Sequence, residues 1–417
     1  MKIAIIGSGI SGLTSAYLLS KKHDVTVFEA NDYIGGHTAT VDVEVPSGKY
    51  AIDTGFIVFN NWTYPNFIKL MTNLQVAWKN SSMSFSVKSQ RSGLEYNGTT
   101  LNSLFSQRSN FFRPSFYRMV FDIMRFNKES IEVLESPHDE VLGEYLKKRN
   151  YSDEFKMNYI IPMGAAIWSA SAEQMDLFPI EYFVRFFNNH GMLSVSNRPV
   201  WKVIEKGSRS YIGPLIQNFK NNIFLKTKVL QVQRENDQVR LITETDGQTS
   251  QHNFDQIIFA SHSDQTMQML TDMTPLEKAI LGGFSYQPNS VVLHTDLSVL
   301  PKRRLAWAAW NYFIPQADSG RVSVTYNMNI LQGLSAPETF CVSLNMDAQI
   351  NPRNILRSFT YDHPVFTREA FNSQKRWNEI SGKNRTHFCG AYWGYGFHED
   401  GVKSALQVCG SFGEHLT

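Results

Sequence analysis

The feature that most constrains this chain is a strand that runs straight into a glycine-rich turn and then into a helix. Lys2-Ile3-Ala4-Ile5-Ile6 is short, apolar and rich in β-branched residues, the pattern of a parallel strand buried on both faces. Gly7-Ser8-Gly9-Ile10-Ser11-Gly12 follows without a gap, and residues 13–20 continue as small and apolar helical positions. A second strand, residues 24–28, ends in Glu29. Each part has a physical task. Gly7 permits the tight turn, Gly9 lets backbone N–H groups approach a pyrophosphate, and Gly12 lets helix and strand pack closely. The helix start offers unpaired N–H donors and the positive end of a dipole to phosphate. Glu29 lies about 20 residues into the unit, where a carboxylate accepts hydrogen bonds from ribose hydroxyls. Together these parts specify a dinucleotide site on a doubly wound α/β sheet.

A second glycine cluster narrows the dinucleotide. Ala30 is followed by Asn31-Asp32-Tyr33-Ile34-Gly35-Gly36-His37-Thr38, and Ile52-Asp53-Thr54-Gly55 closes the next hydrophobic stretch. Here the chain resembles the flavin amine oxidoreductase superfamily, which includes amine oxidases, phytoene-type desaturases and protoporphyrinogen oxidases. In that superfamily a Gly-Gly-Arg segment wraps the FAD pyrophosphate. Gly35 and Gly36 match it, but His37 stands where the Arg would be, a titratable ring in place of a permanent bidentate donor.

The resemblance returns near the far end, in Phe388-Cys389-Gly390-Ala391-Tyr392-Trp393-Gly394-Tyr395-Gly396-Phe397-His398-Glu399-Asp400-Gly401-Val402. It looks like the superfamily's last FAD segment, where a strand ending in Gly leads to a helix whose N-terminus faces the flavin; Gly401-Val402 matches the helix start. Glu399 and Asp400 also suit simple helix caps. The wording of this segment is similar to a bacterial subgroup of NAD/FAD-binding proteins associated with cyclopropane-type, methyl-branched and furan fatty-acid modification. The resemblance implies FAD, bound noncovalently because no Cys matches the family's flavin-linking position. It assigns the cofactor to Gly7, Gly9, Ser11, Gly12, Glu29, Ala30, Gly35, Gly36, His37, Thr38, Gly55, Val229, Gly390, Gly401 and Val402. Tyr392, Trp393, Tyr395, Phe397 and His398 are the residues expected nearest the isoalloxazine and the reacting carbon, with His398 the preferred proton-transfer group.

The implied architecture is a Rossmann-like FAD-binding domain, discontinuous in sequence (1–60, 200–285 and 380–417), with an α+β substrate lobe from 61–199 and 286–379. Between about residues 60 and 200 the βαβ rhythm gives way to helical, aromatic sequence, with candidate helices at 64–74, 115–126, 129–134, 141–149, 151–169 and 179–189. Residues 210–219 read as a helix and 223–225, 228–234, 239–244 and 256–260 as strands, with Asp246-Gly247 as a turn. Strand patterns at 290–295, 321–326 and 339–345 suggest a sheet lining the substrate cavity. Met163 to Ser169, with small residues among larger ones, reads either as a tunnel wall or as close helix packing.

Composition excludes some classes. A net charge of +2 gives no argument for nucleic acid. Cys341, Cys389 and Cys409 form no metal-like cluster and fit a reducing compartment. Residues 2–6 serve the first strand, so no signal peptide is expected, and no apolar run reaches the ~18 residues that span a bilayer. The expected location is cytoplasmic, with peripheral contact at the inner membrane face as an option. That option rests on residues 111–126, where Phe112, Phe116, Met119, Val120 and Ile123 sit at helical spacing beside Arg113, Arg118 and Arg125. A core-facing helix with solvated arginines and an interfacial helix both have this pattern.

Many amine oxidases of the superfamily carry a Lys on the strand that corresponds to residues 288–294. This chain has none there, which favours C–C desaturation of a hydrophobic small-molecule or acyl-lipid substrate over amine oxidation. His294 on that strand reads as a core histidine or an acid/base. A non-catalytic flavin binder is the third reading, and the electron acceptor is left open.

Overall fold

The computed structural model describes residues 1–135, 139–317 and 320–417. Its opening unit forms the middle of a five-stranded parallel sheet. Lys2–Ile6 lies between Asp24–Phe28 and Gln256–Phe259, and Ile223–Phe224 and Thr386–Phe388 complete the two edges. Strands from opposite ends of the chain therefore share one sheet. Alternation sets its two faces: Ile3 and Ile5 pack with Leu13, Val25 and Val402, while Ala4 and Ile6 pack with Phe28, Val229 and Val232. Helix Ile10–Leu19 covers the first face and is itself covered by helix His398–Gly410. The second face carries an antiparallel sheet of Thr227–Arg234, Val239–Thr245 and Gln248–Phe254. Its Asp246-Gly247 turn has both residues at positive φ, as a two-residue hairpin requires. The strand returning from that turn is Gln248–Phe254, too polar to show a hydrophobic pattern, whereas Gln256–Phe259 joins the parallel sheet.

The second lobe is built on a seven-stranded sheet in the order Ile355–Val365, Ser285–His294, Cys341–Leu344, Val324–Asn327, Trp310–Ile314, Phe85–Ser89 and Glu95–Asn97. Two of its strands come from the stretch read as helical from sequence; they are too short for periodicity to declare them. The expected long helix at 151–169 is Asp153–Phe155, a π-helical turn at Lys156–Ile160, then Ile161–Trp168. Pro162 lacks the N–H that would continue the α-helical ladder at that point, which accounts for the wide turn before it.

Helix Pro114–Glu129 buries Phe116, Met119, Asp122 and Phe126. Asp122 is held by Arg118 and Arg125 and by the Ser152 N–H and hydroxyl. Phe112 precedes the helix and is 89% exposed, so of the two readings left open for residues 111–126 the core-facing one does not hold for it. Among the described residues no helix is long and apolar enough to cross a membrane.

Candidate active site

A cavity of about 1160 Å³ is lined at one end by the glycine turn of the parallel sheet and at the other by the seven-stranded sheet. The glycine end is made chiefly of backbone. Gly7 adopts φ +102° and donates its N–H to the Phe28 carbonyl at 2.9 Å. A Cβ on Gly12 would sit 2.0 Å from the Gly7 carbonyl oxygen, so only glycine allows this approach of helix to turn. A Cβ on Gly9, by contrast, would meet no atom within 4 Å. The helix that starts at Ile10 has no side-chain cap, which leaves its first N–H donors for an anion. The second glycine segment closes over the first: a Cβ on Gly36 would lie 3.3 Å from Gly9 Cα, and the Gly35 N–H reaches the Ser8 hydroxyl at 3.2 Å.

Glu29 ties this end together. One carboxylate oxygen accepts from the Ser8 N–H at 3.0 Å and the Ser8 hydroxyl at 2.6 Å. The other accepts from the Asn31 N–H and side-chain amide, both at 2.9 Å. Four donors occupy the carboxylate, so a ribose hydroxyl would share or replace one of them, the mobile Asn31 amide first. Ala30, Gly55 and Val229 line the same end, the last in a strand whose register shifts between Val229 and Gln231.

His37 lies where this end meets the rest of the cavity. Its ring is 5.0 Å from that of Tyr361, 5.7 Å from that of His363 and 6.4 Å from that of His262. Burial, then the neighbouring His363 and His262, pushes its pKa down to about 3, so the imidazole is neutral. Its Nε2 is buried without a partner among the described residues. An open cradle at Gly9, an uncapped helix start and an orphaned imidazole nitrogen suit an anionic dinucleotide.

Four residues expected at the cofactor do not line the cavity: Gly12, Thr38, Gly401 and Val402. The last helix begins at His398 rather than at Gly401. Gly401 instead permits helix packing, since a Cβ there would meet Ile10 Cγ2 at 2.7 Å and Ser11 Oγ at 2.9 Å. Thr38 stands behind the wall, bonded to the Tyr211 hydroxyl and, at 3.1 Å, to His398 Nε2. Gly390 and Ser11 do line the cavity.

His398 forms part of the wall. Its ring stacks on Phe56 with centroids 3.6 Å apart, and Nε2 also lies 3.2 Å from the Tyr211 hydroxyl. Burial first, then His37, holds its pKa well below the usual histidine range. Asp400 accepts from the Phe397 N–H at 3.0 Å and so caps its own helix. Glu399 caps a different one, accepting from the N–H groups of Asn66 at 3.2 Å and Phe67 at 2.8 Å. Tyr395 and Tyr392 both face the cavity; Tyr395 packs on Phe186 at 5.5 Å and Tyr392 on Phe284 at 4.9 Å.

Beyond these residues the walls are side chains: Met83, Phe85, Tyr159, Phe186, Trp310, Tyr326 and Leu344, with Met163, Ile167, Trp168 and Ser169. Met163 to Ser169 thus borders the cavity, though Gly164 faces Met175 and Phe183 instead. Among the described residues only Glu29, Lys228, Arg198 and Asp362 bring a formal charge to the lining. Lys228 sits beside Val229 at the nucleotide end, and Lys228, Arg198 and Asp362 are exposed. His294 is a core residue: Nε2 meets the Ser343 hydroxyl at 2.8 Å, Nδ1 accepts the Asp296 N–H at 3.0 Å, and it does not reach the cavity. Sequence patterns did not single out Phe56, His262, Tyr361 and His363, nor the side chains of Phe85, Trp310 and Tyr326, although Tyr326 ends the 321–326 strand expected to line the cavity. Their one signal was alternation in strands of five residues or fewer for the last three.

Comparison with known proteins agrees with this geometry. A 1-hydroxycarotenoid 3,4-desaturase of a Flavobacterium species is 44% identical over 68 residues, which cover 16% of this chain and 12% of that protein. Cyclohexylamine oxidase from Brevibacterium oxydans superposes with TM-score 0.69 at 14% identity, covering 99% of each chain. The CLA-producing fatty acid isomerase from P. acnes superposes with TM-score 0.68 at 13% identity, covering 98% of each chain. The flavin containing amine oxidoreductase family matches residues 10–327. The chain belongs to that family and is an FAD-dependent oxidoreductase.

Proposed function

We propose that this enzyme removes two hydrogens from an unsaturated or methyl-branched fatty acyl chain, using FAD held noncovalently between its N-terminal glycine turn and its Gly390 segment. The observation that carries this reading is that, among the described residues, the only formal charges lining the cavity away from the nucleotide end are Arg198 and Asp362, both exposed. An apolar chain gains from burial there, at about 0.8 kcal/mol per methylene. A protonated amine would lose its hydration with no buried carboxylate to replace it. Among the described residues no lysine other than Lys228 lines the cavity, which points the same way. Desaturase and fatty acid isomerase relatives support a hydrophobic substrate, whereas the fold shared with cyclohexylamine oxidase supports amine oxidation as the second reading.

Bound flavin supplies a hydride acceptor. The chain supplies position and dryness: Phe186, Trp310 and Tyr326 hold the acyl chain extended, and Tyr392 and Tyr395 exclude water from the reacting carbons. Forming the double bond also releases a proton. His398 is the acid/base candidate on the wall; its Nε2 is engaged by the Thr38 and Tyr211 hydroxyls and burial holds its pKa well below the usual histidine range, so it would relay a proton rather than store one. The buried, unpaired Cys341, Cys389 and Cys409 fit a reducing, cytoplasmic setting.

The test is product mass. Incubation with an artificial electron acceptor and an unsaturated or methyl-branched fatty acid, free or as phospholipid, should give a product lighter by two hydrogens. Aldehyde formation from alkyl amines, with acyl substrates unchanged, would reverse the assignment. Acid precipitation should release all of the yellow colour; flavin left on the precipitate would contradict noncovalent binding.

A further inference from the structure

The outer surface around helix Pro114–Glu129 plays no part in the cavity, yet it is apolar. Leu101, Phe111, Phe112, Tyr117, Phe121 and Met124 are all exposed, with Phe112 at 89%, Leu101 at 79% and Phe121 at 62%. Phe111, Tyr117, Phe121 and Met124 form a strip, with Phe112 next to Phe111 in the chain. Phe105 stacks on Phe111 at 4.2 Å and approaches Tyr117 at 5.9 Å, and the Tyr117 hydroxyl donates to the Phe111 carbonyl at 3.2 Å. Tyr117, Phe121 and Met124 then follow at helical spacing along one face. The opposite face is already in the core through Phe116, Met119 and Phe126, so folding does not explain the outer one. Exposed apolar side chains are ordinary singly, but a contiguous strip marks a binding surface.

Charge indicates what it binds. From Thr100 to Phe121 the chain carries Arg108, Arg113 and Arg118 and no acidic residue. Arg108 donates to the Phe105 carbonyl and the Asn102 side chain, with no carboxylate partner among the described residues, whereas Arg118 pairs with Asp122 at 3.5 Å. Aromatic residues beside Arg108 and Arg113 match the boundary between acyl chains and anionic headgroups, where rings enter the apolar layer and guanidinium groups stay at the phosphates.

We propose that this strip docks the protein on an anionic lipid bilayer, with Phe112 and Phe121 entering the acyl boundary and Arg108 and Arg113 at the lipid phosphates. The proposal stands whether or not the substrate is an acyl chain. The test is co-sedimentation of the flavin-loaded protein with phosphatidylcholine vesicles, with and without roughly 30 mole per cent phosphatidylglycerol. Binding should require the anionic lipid and weaken as salt rises. F112E/F121E should lower vesicle affinity about tenfold or more, with flavin absorbance and Tm unchanged. R108Q/R113Q, which leaves the apolar strip intact, should lower it by about fivefold per arginine. Leu177→Glu, at an exposed apolar position outside the strip, should have no effect. Wild-type binding equal to that of F112E/F121E, or no binding to anionic vesicles, would overturn the proposal. So would a concentration-dependent dimer that F112E/F121E abolishes while vesicle binding persists, since the strip would then belong to a second copy of the chain.

Discussion

At the nucleotide end of the cavity, the groups offered to a ligand are mostly backbone: the N–H donors after Gly9, the Gly35-Gly36 turn and the strand at Val229. At the substrate end they are ring faces and thioethers from strands and helices far apart in sequence, such as Phe85, Met163, Phe186, Trp310 and Tyr326. The two ends should therefore fail differently. A backbone site is defined by where a Cβ can and cannot be tolerated, so single atoms decide it. A side-chain site is defined by volume and polarity, so it tolerates change and tunes what enters.

The largest effect expected is at Gly9. Gly9→Val adds a side chain that touches no protein atom within 4 Å at Cβ but projects into the cofactor space. Flavin affinity should fall about a hundredfold or more, while the Tm of the flavin-free protein stays at its wild-type value. Gly12→Ala should instead lower that Tm, because its Cβ collides with the Gly7 carbonyl. Fluorescence titration of flavin and thermal unfolding separate the two outcomes; a large loss of Tm in Gly9→Val would break the distinction.

Glu29→Ala comes next. It removes a carboxylate with four donors, so flavin affinity should drop between about tenfold and a hundredfold. Unchanged affinity would show that the carboxylate serves the loop alone. At the other end Met163→Phe should leave flavin content unchanged and cut kcat/KM for long acyl chains about tenfold, with short chains less affected. Equal losses for all lengths would mean that Met163 does not border the path of the chain.

The smallest effect is the pH dependence of the flavin-free protein. His37 is depressed to about 3 and His363 to about 4, both mainly by burial. A depressed histidine contributes stability that is present above its unfolded pKa near 6.5 and lost as pH falls toward the folded value. Asp53 and Asp400, each raised to about 6 by burial, act in the opposite sense, stabilising below their unfolded pKa and losing that contribution as pH rises through about 6. The histidine shifts are the larger, so Tm should fall between about pH 7 and pH 5, and His37→Asn should flatten that fall. A steeper fall in His37→Asn would mean that His37 is charged in the folded protein.

The same contrast decides what could be read from sequence. The glycine turn, Glu29, the Gly35-Gly36 cluster and Gly390 are legible because a backbone site needs fixed residue types at fixed spacing. Gly401 was legible as a required glycine but not in its role, since helix packing and flavin contact both demand the absence of a Cβ. His262, Tyr361 and His363 join His37 only through folding, across more than 200 residues, and no local pattern announces them. The surroundings of Phe112 were not legible, because helical spacing finds an apolar stripe without saying whether core or solvent lies beside it.

Anaerobic titration of the flavin-loaded protein, followed by visible absorbance, tests whether the substrate end admits an uncharged chain. Unsaturated or methyl-branched acyl substrates should bleach the flavin and alkyl amines should not; bleaching by amines alone would contradict an acyl substrate.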